Sequence, residues 1–159
     1  MTRVVNDTLQ SQDVEVTFGW IRVDGTKREA RTKKLRIGAN AMIEVGLVPL
    51  IDKIHNPQDW VYAATMTGPG IDDDLSIWKL VPCRELNLSV SPIRITRVGD
   101  NLVLQSNTFC AGVHLPEEAD AKLTDNYFDL LPGVPHTVHI EKASSDGNYK
   151  LLAAMPVRR

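Results

Sequence analysis

An apolar and polar alternation of period two recurs along this chain, and it constrains the possible folds more than any other feature of the sequence. Val14, Val16, Phe18 and Trp20 alternate with Glu15, Thr17 and Gly19. A strand that buries one face and wets the other requires this pattern, because successive side chains point to opposite sides. Asp24-Gly25 supplies a turn. The alternation then returns through Leu35 and Ile37 and, after Gly38-Ala39-Asn40, through Ala41, Ile43 and Val45. Residues 60–67 and 75–81 predict two further strands around Gly68-Pro69-Gly70. Residues 47–54 are compatible with a loop or a short strand with one helical turn, and Asn56-Pro57 ends either.

Residues 82–90 lose the alternation, carry Pro82 and lead to Pro92, which marks a linker. A second set of strands follows. Ile93 and Ile95 begin it, Gly99-Asp100-Asn101 turns the chain, and Leu102, Leu104, Phe109, Ala111 and Val113 continue the period. Val138 and Ile140, the turn Asp146-Gly147-Asn148, and Tyr149, Leu151 and Ala153 close it. No apolar helical spacing persists over roughly ten residues. Short strands at even spacing with Gly, Pro, Asn and Asp between them predict an all-β fold. The length of 159 residues accommodates two consecutive small β-sandwiches, at 1–84 and 85–159.

Composition narrows the partners. With 43% hydrophobic and 24% charged residues the chain has a globular makeup, and a net charge of −2 gives no global field to attract nucleic acid. Residues 22–36 hold seven basic and two acidic side chains, but no aromatic ring lies among them to stack on a base, so they read as the solvated face of an edge strand. No apolar run approaches the ~20 residues of a membrane span, and Met1-Thr2-Arg3-Val4-Val5-Asn6 lacks the features of a secretion signal. Neither a nucleic-acid nor a membrane partner is expected. Cys83 and Cys110 fit a disulfide or two buried free thiols. Asn6 and Asn87 each begin an Asn-x-Ser/Thr triplet that would accept glycan in a secretory host. The compartment stays open.

Candidate chemistry is sparse. The nucleophile-elbow, zinc-protease and phosphate-loop motifs, each of which positions its reacting groups through a fixed spacing, are missing from the sequence. Asp72-Asp73-Asp74 reads as a loop tip, because consecutive residues point different ways and no distant Glu completes a calcium loop. His136 and His139 fall on opposite faces of one strand, and His55 and His114 stand alone. Glycoside hydrolysis needs two carboxyls facing each other across a sugar. Glu117 and Glu118 are adjacent and cannot form that pair, while Glu44, Glu85 and Glu141 have no associated cleft signal. No catalytic residue, metal ligand or cofactor site is expected. Trp20 falls on the apolar side of its strand; Trp60, just after Asn56-Pro57, is the candidate for an exposed ligand or interface ring.

One segment is more specific. Lys122-Leu123-Thr124-Asp125-Asn126-Tyr127-Phe128-Asp129-Leu130-Leu131-Pro132-Gly133 resembles the L-S-D-N-F-F-D-L-x-P-G-E segment near the C-terminus of β-mannosidases of glycoside hydrolase family two, with Thr124, Tyr127 and Val134 as mild departures. Val4-Val5-Asn6-Asp7 is similar to the opening of the immunoglobulin-like domain that follows the catalytic barrel in that family. Residues 75–86 resemble the strand and connector between its last two domains, and residues 109–115 resemble a further strand. In physical terms Tyr127, Phe128 and Leu130 are expected to supply buried bulk. Asp125 and Asn126 should satisfy backbone groups at a strand corner, and Pro132-Gly133 should force the next turn. The resemblance implies two immunoglobulin-like sandwiches and a parent enzyme that removes terminal β-mannose with retention. Its catalytic glutamates lie on a barrel outside this chain, and the partners implied are that barrel and the N-terminal domains, with carbohydrate as a further candidate. For the parent, periplasmic, secreted and cytoplasmic locations all stay open.

Overall fold

The computed structural model describes residues 1–49, 55–115 and 122–142. Among these the chain forms β1 (Thr2–Asn6), β2 (Gln12–Arg22), β3 (Arg28–Ile37), β4 (Ala41–Gly46), β5 (Trp60–Gly68) and β6 (Ile71–Lys79). It continues with β7 (Arg94–Val98), β8 (Asn101–Gln105), β9 (Cys110–Val113), β10 (Lys122–Leu123), β11 (Phe128–Leu130) and β12 (His136–Lys142). Single 3-10 turns lie at Pro57–Asp59 and Cys83–Glu85. The expected all-β fold is present. The chain divides into two compact units, one of Met1–Arg22 and Lys27–Leu86, the other of Val23–Thr26 and the chain from Asn87 onward. The turn expected at Asp146-Gly147-Asn148, the strand at Tyr149, Leu151 and Ala153, Glu117-Glu118 and most of residues 47–54 lie outside the described residues.

In the first unit a four-stranded sheet, ordered β3-β2-β5-β6, is accompanied by a two-stranded sheet, β1-β4, with antiparallel pairing throughout. Val14, Val16, Phe18 and Trp20 of β2 form the core with Tyr62, Ile37 and the inward residues Val4 and Val45 of the smaller sheet. Polar groups tie the sheets together. The Trp20 Nε1–H donates to the Val48 carbonyl at 2.7 Å, Lys33 Nζ donates to the Val45 carbonyl at 2.6 Å, and the Tyr62 hydroxyl lies 2.9 Å from Thr2 Oγ1. Sequence alternation did not indicate β1, because two of its three buried positions are the polar Thr2 and Asn6. Both Asn6 side-chain ends are satisfied: Nδ2 donates to the Gln10 and Gly38 carbonyls, and Oδ1 accepts from the Thr8 amide and hydroxyl. Its amide is thus committed to the fold.

The second unit repeats the scheme with a sheet ordered β10-β12-β8-β7 and a pair β11-β9. Leu102 and Leu104 of β8 and Val138 and Ile140 of β12 face Cys110, Val113, Leu115 and Leu130. Within this unit the Phe109 amide donates to the Val23 carbonyl at 2.7 Å. Both cysteines are free. Cys110 is buried, with its thiol 3.3 Å from Ser106 Oγ, whereas Cys83 is exposed on its 3-10 turn, so the expectation of two buried thiols holds only for Cys110.

β2 is hydrogen-bonded on both sides, and Gly19 stands directly between Ala30 and Ala63. A Cβ built at Gly19 would lie 2.2 Å from the Glu29 carbonyl oxygen and 2.5 Å from the Ala30 Cα, so β3 can approach β2 only across a glycine. Gly19→Ala is therefore expected to destabilise the protein by ~1–3 kcal/mol or more through overpacking, measured by urea unfolding. An unchanged midpoint would show that β3 is not seated on β2 at this position.

Candidate functional site

The segment singled out in the sequence forms a polar corner between β9 and β11. Asn126 clamps the end of β9, its Oδ1 accepting from the Leu115 amide at 2.8 Å and its Nδ2 donating to the Leu115 carbonyl at 2.9 Å. The same Oδ1 accepts from the Tyr127 amide at 3.1 Å. Three residues on, Asp129 Oδ1 accepts from the Gly112 amide at 2.9 Å, where the backbone takes a φ of +62° that favours glycine. Asp125 does not bond the backbone of the corner; its carboxylate lies 3.0 Å from His136 Nε2. Gly133, at φ +71°, sends its amide to the Ser106 carbonyl at 2.8 Å, and the Val134 amide closes the turn on Leu131. Pro132 thus precedes a true reversal of the chain.

The three apolar residues of this corner fall in three different environments. Leu130 is 1% exposed and belongs to the core. Phe128 is half-buried, packed at the margin of that core with its ring centroid 4.1 Å from the His136 ring. Tyr127 is 71% exposed, which corrects the expectation that its ring is buried. The cause is local: a φ of +63° at Tyr127 turns the side chain outward, where it stacks on His114 with centroids 4.6 Å apart.

Trp20 lies in the core as expected, whereas Trp60 departs from expectation. Trp60 is only 8% exposed and sits in the first core, with Lys27 Nζ 5.9 Å from its ring centroid, so it is not the exposed ring its neighbour Pro57 suggested. The exposed ring is Trp78 of β6, at 59%. Sequence pattern placed it on a strand without indicating how far the opposite sheet reaches.

Of the charged candidates, Glu85 lies on the 3-10 turn, whereas Glu44 and Glu141 are partnered side chains on strands. Glu44 accepts from the Arg3 guanidinium at 2.9 Å across β1 and β4, and the Glu141 carboxylate accepts from Lys122 across β10 and β12. That hydrogen bond and the charge of the Glu141 carboxylate hold the exposed Lys122 ammonium above the usual lysine range. In the basic stretch, Lys34 pairs with Glu15, Arg36 with Asp13 and Lys27 with Glu29, which fits a solvated edge. No group of three His, Cys, Asp or Glu side chains able to hold a metal occurs among the described residues. A cavity of about 210 Å³ in the first unit is lined by Val4, Asn6, Val14, Ile37, Met66 and Ile71. Asn6 has both ends already bonded, so it brings no spare hydrogen-bonding group to that cavity.

Among the described residues each unit sets a sheet of four strands against one of two, and the second carries the Asp-Asn corner, an arrangement of the immunoglobulin-like class. The mannosidase-type Ig-fold domain matches residues 84–159, and the mannosidase Ig/CBM-like domain matches residues 3–71. The chain belongs to these immunoglobulin-like domains of mannosidase-like enzymes in glycoside hydrolase family two. A β-D-mannosidase from Dictyoglomus thermophilum superposes with a TM-score of 0.74 at 20% identity, covering 89% of this chain and 18% of that one. An exo-chitosanase from Amycolatopsis orientalis gives 0.63 at 17% identity, covering 90% and 22%. This chain spans about a fifth of the length of those enzymes. No curated protein matches it.

The corner gives a discriminating pair of substitutions. Asn126→Ala strips the Leu115 amide and carbonyl of their partners and is expected to cost about 1–3 kcal/mol in thermal or urea unfolding. Tyr127→Gly relieves a left-handed conformation that costs a side-chain-bearing residue about 1–2 kcal/mol, so it should leave stability unchanged or raise it. The reverse order of effects would refute this division of labour.

Proposed function

We propose that this chain, with domains at 1–84 and 85–159, is the non-catalytic C-terminal accessory region of a retaining glycoside hydrolase that removes terminal β-linked mannose. Its role is to support the catalytic barrel and N-terminal domains of the parent enzyme. The observation that carries this reading is the tandem order of the two mannosidase-type domain matches over nearly the whole chain. The ion-paired state of Glu44 and Glu141 is consistent with it, since a nucleophile and acid must face a common sugar. The exo-chitosanase neighbour favours a second reading of the parent's substrate, a β-linked glucosamine chain, with the same accessory role. A free-standing carbohydrate- or protein-binding module is the alternative of a different class.

The test uses this chain alone, the parent enzyme, and the parent lacking it. The isolated chain is expected to hydrolyse neither aryl β-mannoside nor aryl β-glucosaminide. The shortened parent should lose soluble yield and melting temperature and recover both when the region is restored. A shortened parent as stable and active as the intact enzyme, or turnover by the isolated chain that disappears on mutating one of its acidic residues, would overturn the accessory reading.

A further inference from the structure

β6 is an edge strand of the first unit's large sheet; its Ile71 packs against the core, whereas the core-facing side chains of its residues 74–78 are exposed. Trp78 pairs in register with Tyr62, which pairs with the core residue Trp20, so all three rings lie on one face of the sheet. Ser76 and Asp74 follow Trp78 at alternate positions on that face, and all three are exposed. Alternate residues of a strand stand about 6.6 Å apart, so a carboxylate, a hydroxyl and an indole form one row. The indole leans on the core: its centroid is 6.1 Å from that of Trp20, at a tilt of 54°, and Trp20 makes an edge contact with Tyr62 at 5.1 Å. Trp20 and Tyr62 are themselves fixed by their bonds to Val48 and Thr2. One side of the Trp78 ring thus rests on the core while the other meets water.

The surroundings discriminate between kinds of occupant. A protein hot spot centres on an aromatic ring ringed by contacts that exclude water, whereas here the neighbours along the strand are a wet hydroxyl and a wet carboxylate. A flat ring flanked by hydrogen-bonding groups suits a ligand that carries an apolar face and a polar rim in one unit. A hexopyranose has both, with C–H bonds on its face and hydroxyls around its edge. We propose that the Trp78-Ser76-Asp74 row of β6 binds a β-linked hexopyranose chain, one ring stacking on Trp78 and a neighbouring ring bonding Ser76 and Asp74. The carboxylate complements a protonated amine, so an amino-sugar chain should bind more tightly than a neutral one, and salt should weaken that preference. The row is flat rather than concave, so the binding is weak and adds to the accessory role without depending on it.

The test titrates the intact chain with mannohexaose and with the glucosamine hexamer, read by tryptophan fluorescence and by calorimetry. Both should bind, the glucosamine hexamer more tightly at low salt. Trp78→Ala should weaken both about tenfold or more, the ratio that 1.4 kcal/mol represents, and Trp78→Tyr should restore part of the loss. Asp74→Asn should remove the preference for the cationic chain. Absence of binding by either glycan at millimolar concentration, or Trp78→Ala binding as tightly as the unaltered chain, would overturn the site. So would a Trp78→Ala chain that binds glycan normally but fails to stabilise the shortened parent, since the ring would then belong to a protein contact. Because the titration uses this chain alone, its failure leaves the accessory role standing.

Discussion

Among the described residues of each unit, a sheet of four strands has its buried face covered by a sheet of two. Strands lie about 4.8 Å apart, so two of them shield the middle of a four-stranded face and leave its margins to water. The burial follows that geometry. The central strands β2 and β5 carry the first core, and β8 and β12 the second. The edge strand β6 exposes Trp78, while β7 leaves Ile95, opposite the core residue Leu104, half-buried. Apolar contact being limited, directional bonds assist in holding the small sheets. Trp20 to Val48, Tyr62 to Thr2 and Lys33 to Val45 serve the first unit; Asn126 and Asp129 serve the second. Losing one such bond leaves a part-buried group without a partner, which is more damaging than losing a surface pair.

Much of the fold was legible because alternation is a local signal. The valines, Phe18 and Trp20 of β2 announced a half-buried strand, and Leu102 with Leu104 and Val138 with Ile140 announced two more that pair in register. The misjudged residues were those whose environment depends on distant chain. Trp60 follows a proline turn, yet it pairs with Arg22 of β2 and joins the core. Trp78 carries the same strand signal, but whether it is covered depends on the width of the opposite sheet, which no local pattern encodes. β1 was missed for a different reason, since its inward Thr2 and Asn6 imitate a polar segment while serving as tethers. In the corner, the resemblance identified the residues but not their backbone angles. The left-handed φ at Tyr127 decides that its ring points out.

The same architecture explains why the chain suits an accessory role. Arg3 and Glu44 of β1 and β4, and Lys122 and Glu141 of β10 and β12, form cross-strand pairs, which stitch sheet surfaces rather than line a cleft. Among the described residues, Tyr127 stacked on His114 and Trp78 backed by Trp20 are the aromatic rings most exposed to solvent. They arise from different causes, a turn in one case and an uncovered edge in the other. Each unit can therefore present an aromatic ring while its core remains closed.

Trp20 and Trp60 lie in the closed core, whereas Trp78 at the sheet margin stays largely exposed. The chain has three tryptophans, so their native-state reactivity reads that contrast directly. Limited oxidation of the folded protein with N-bromosuccinimide, followed by peptide mass spectrometry, is expected to modify Trp78 first, with Trp20 and Trp60 protected until the protein unfolds. Oxidation of Trp60 as fast as Trp78, or protection of Trp78 in the native chain, would contradict it.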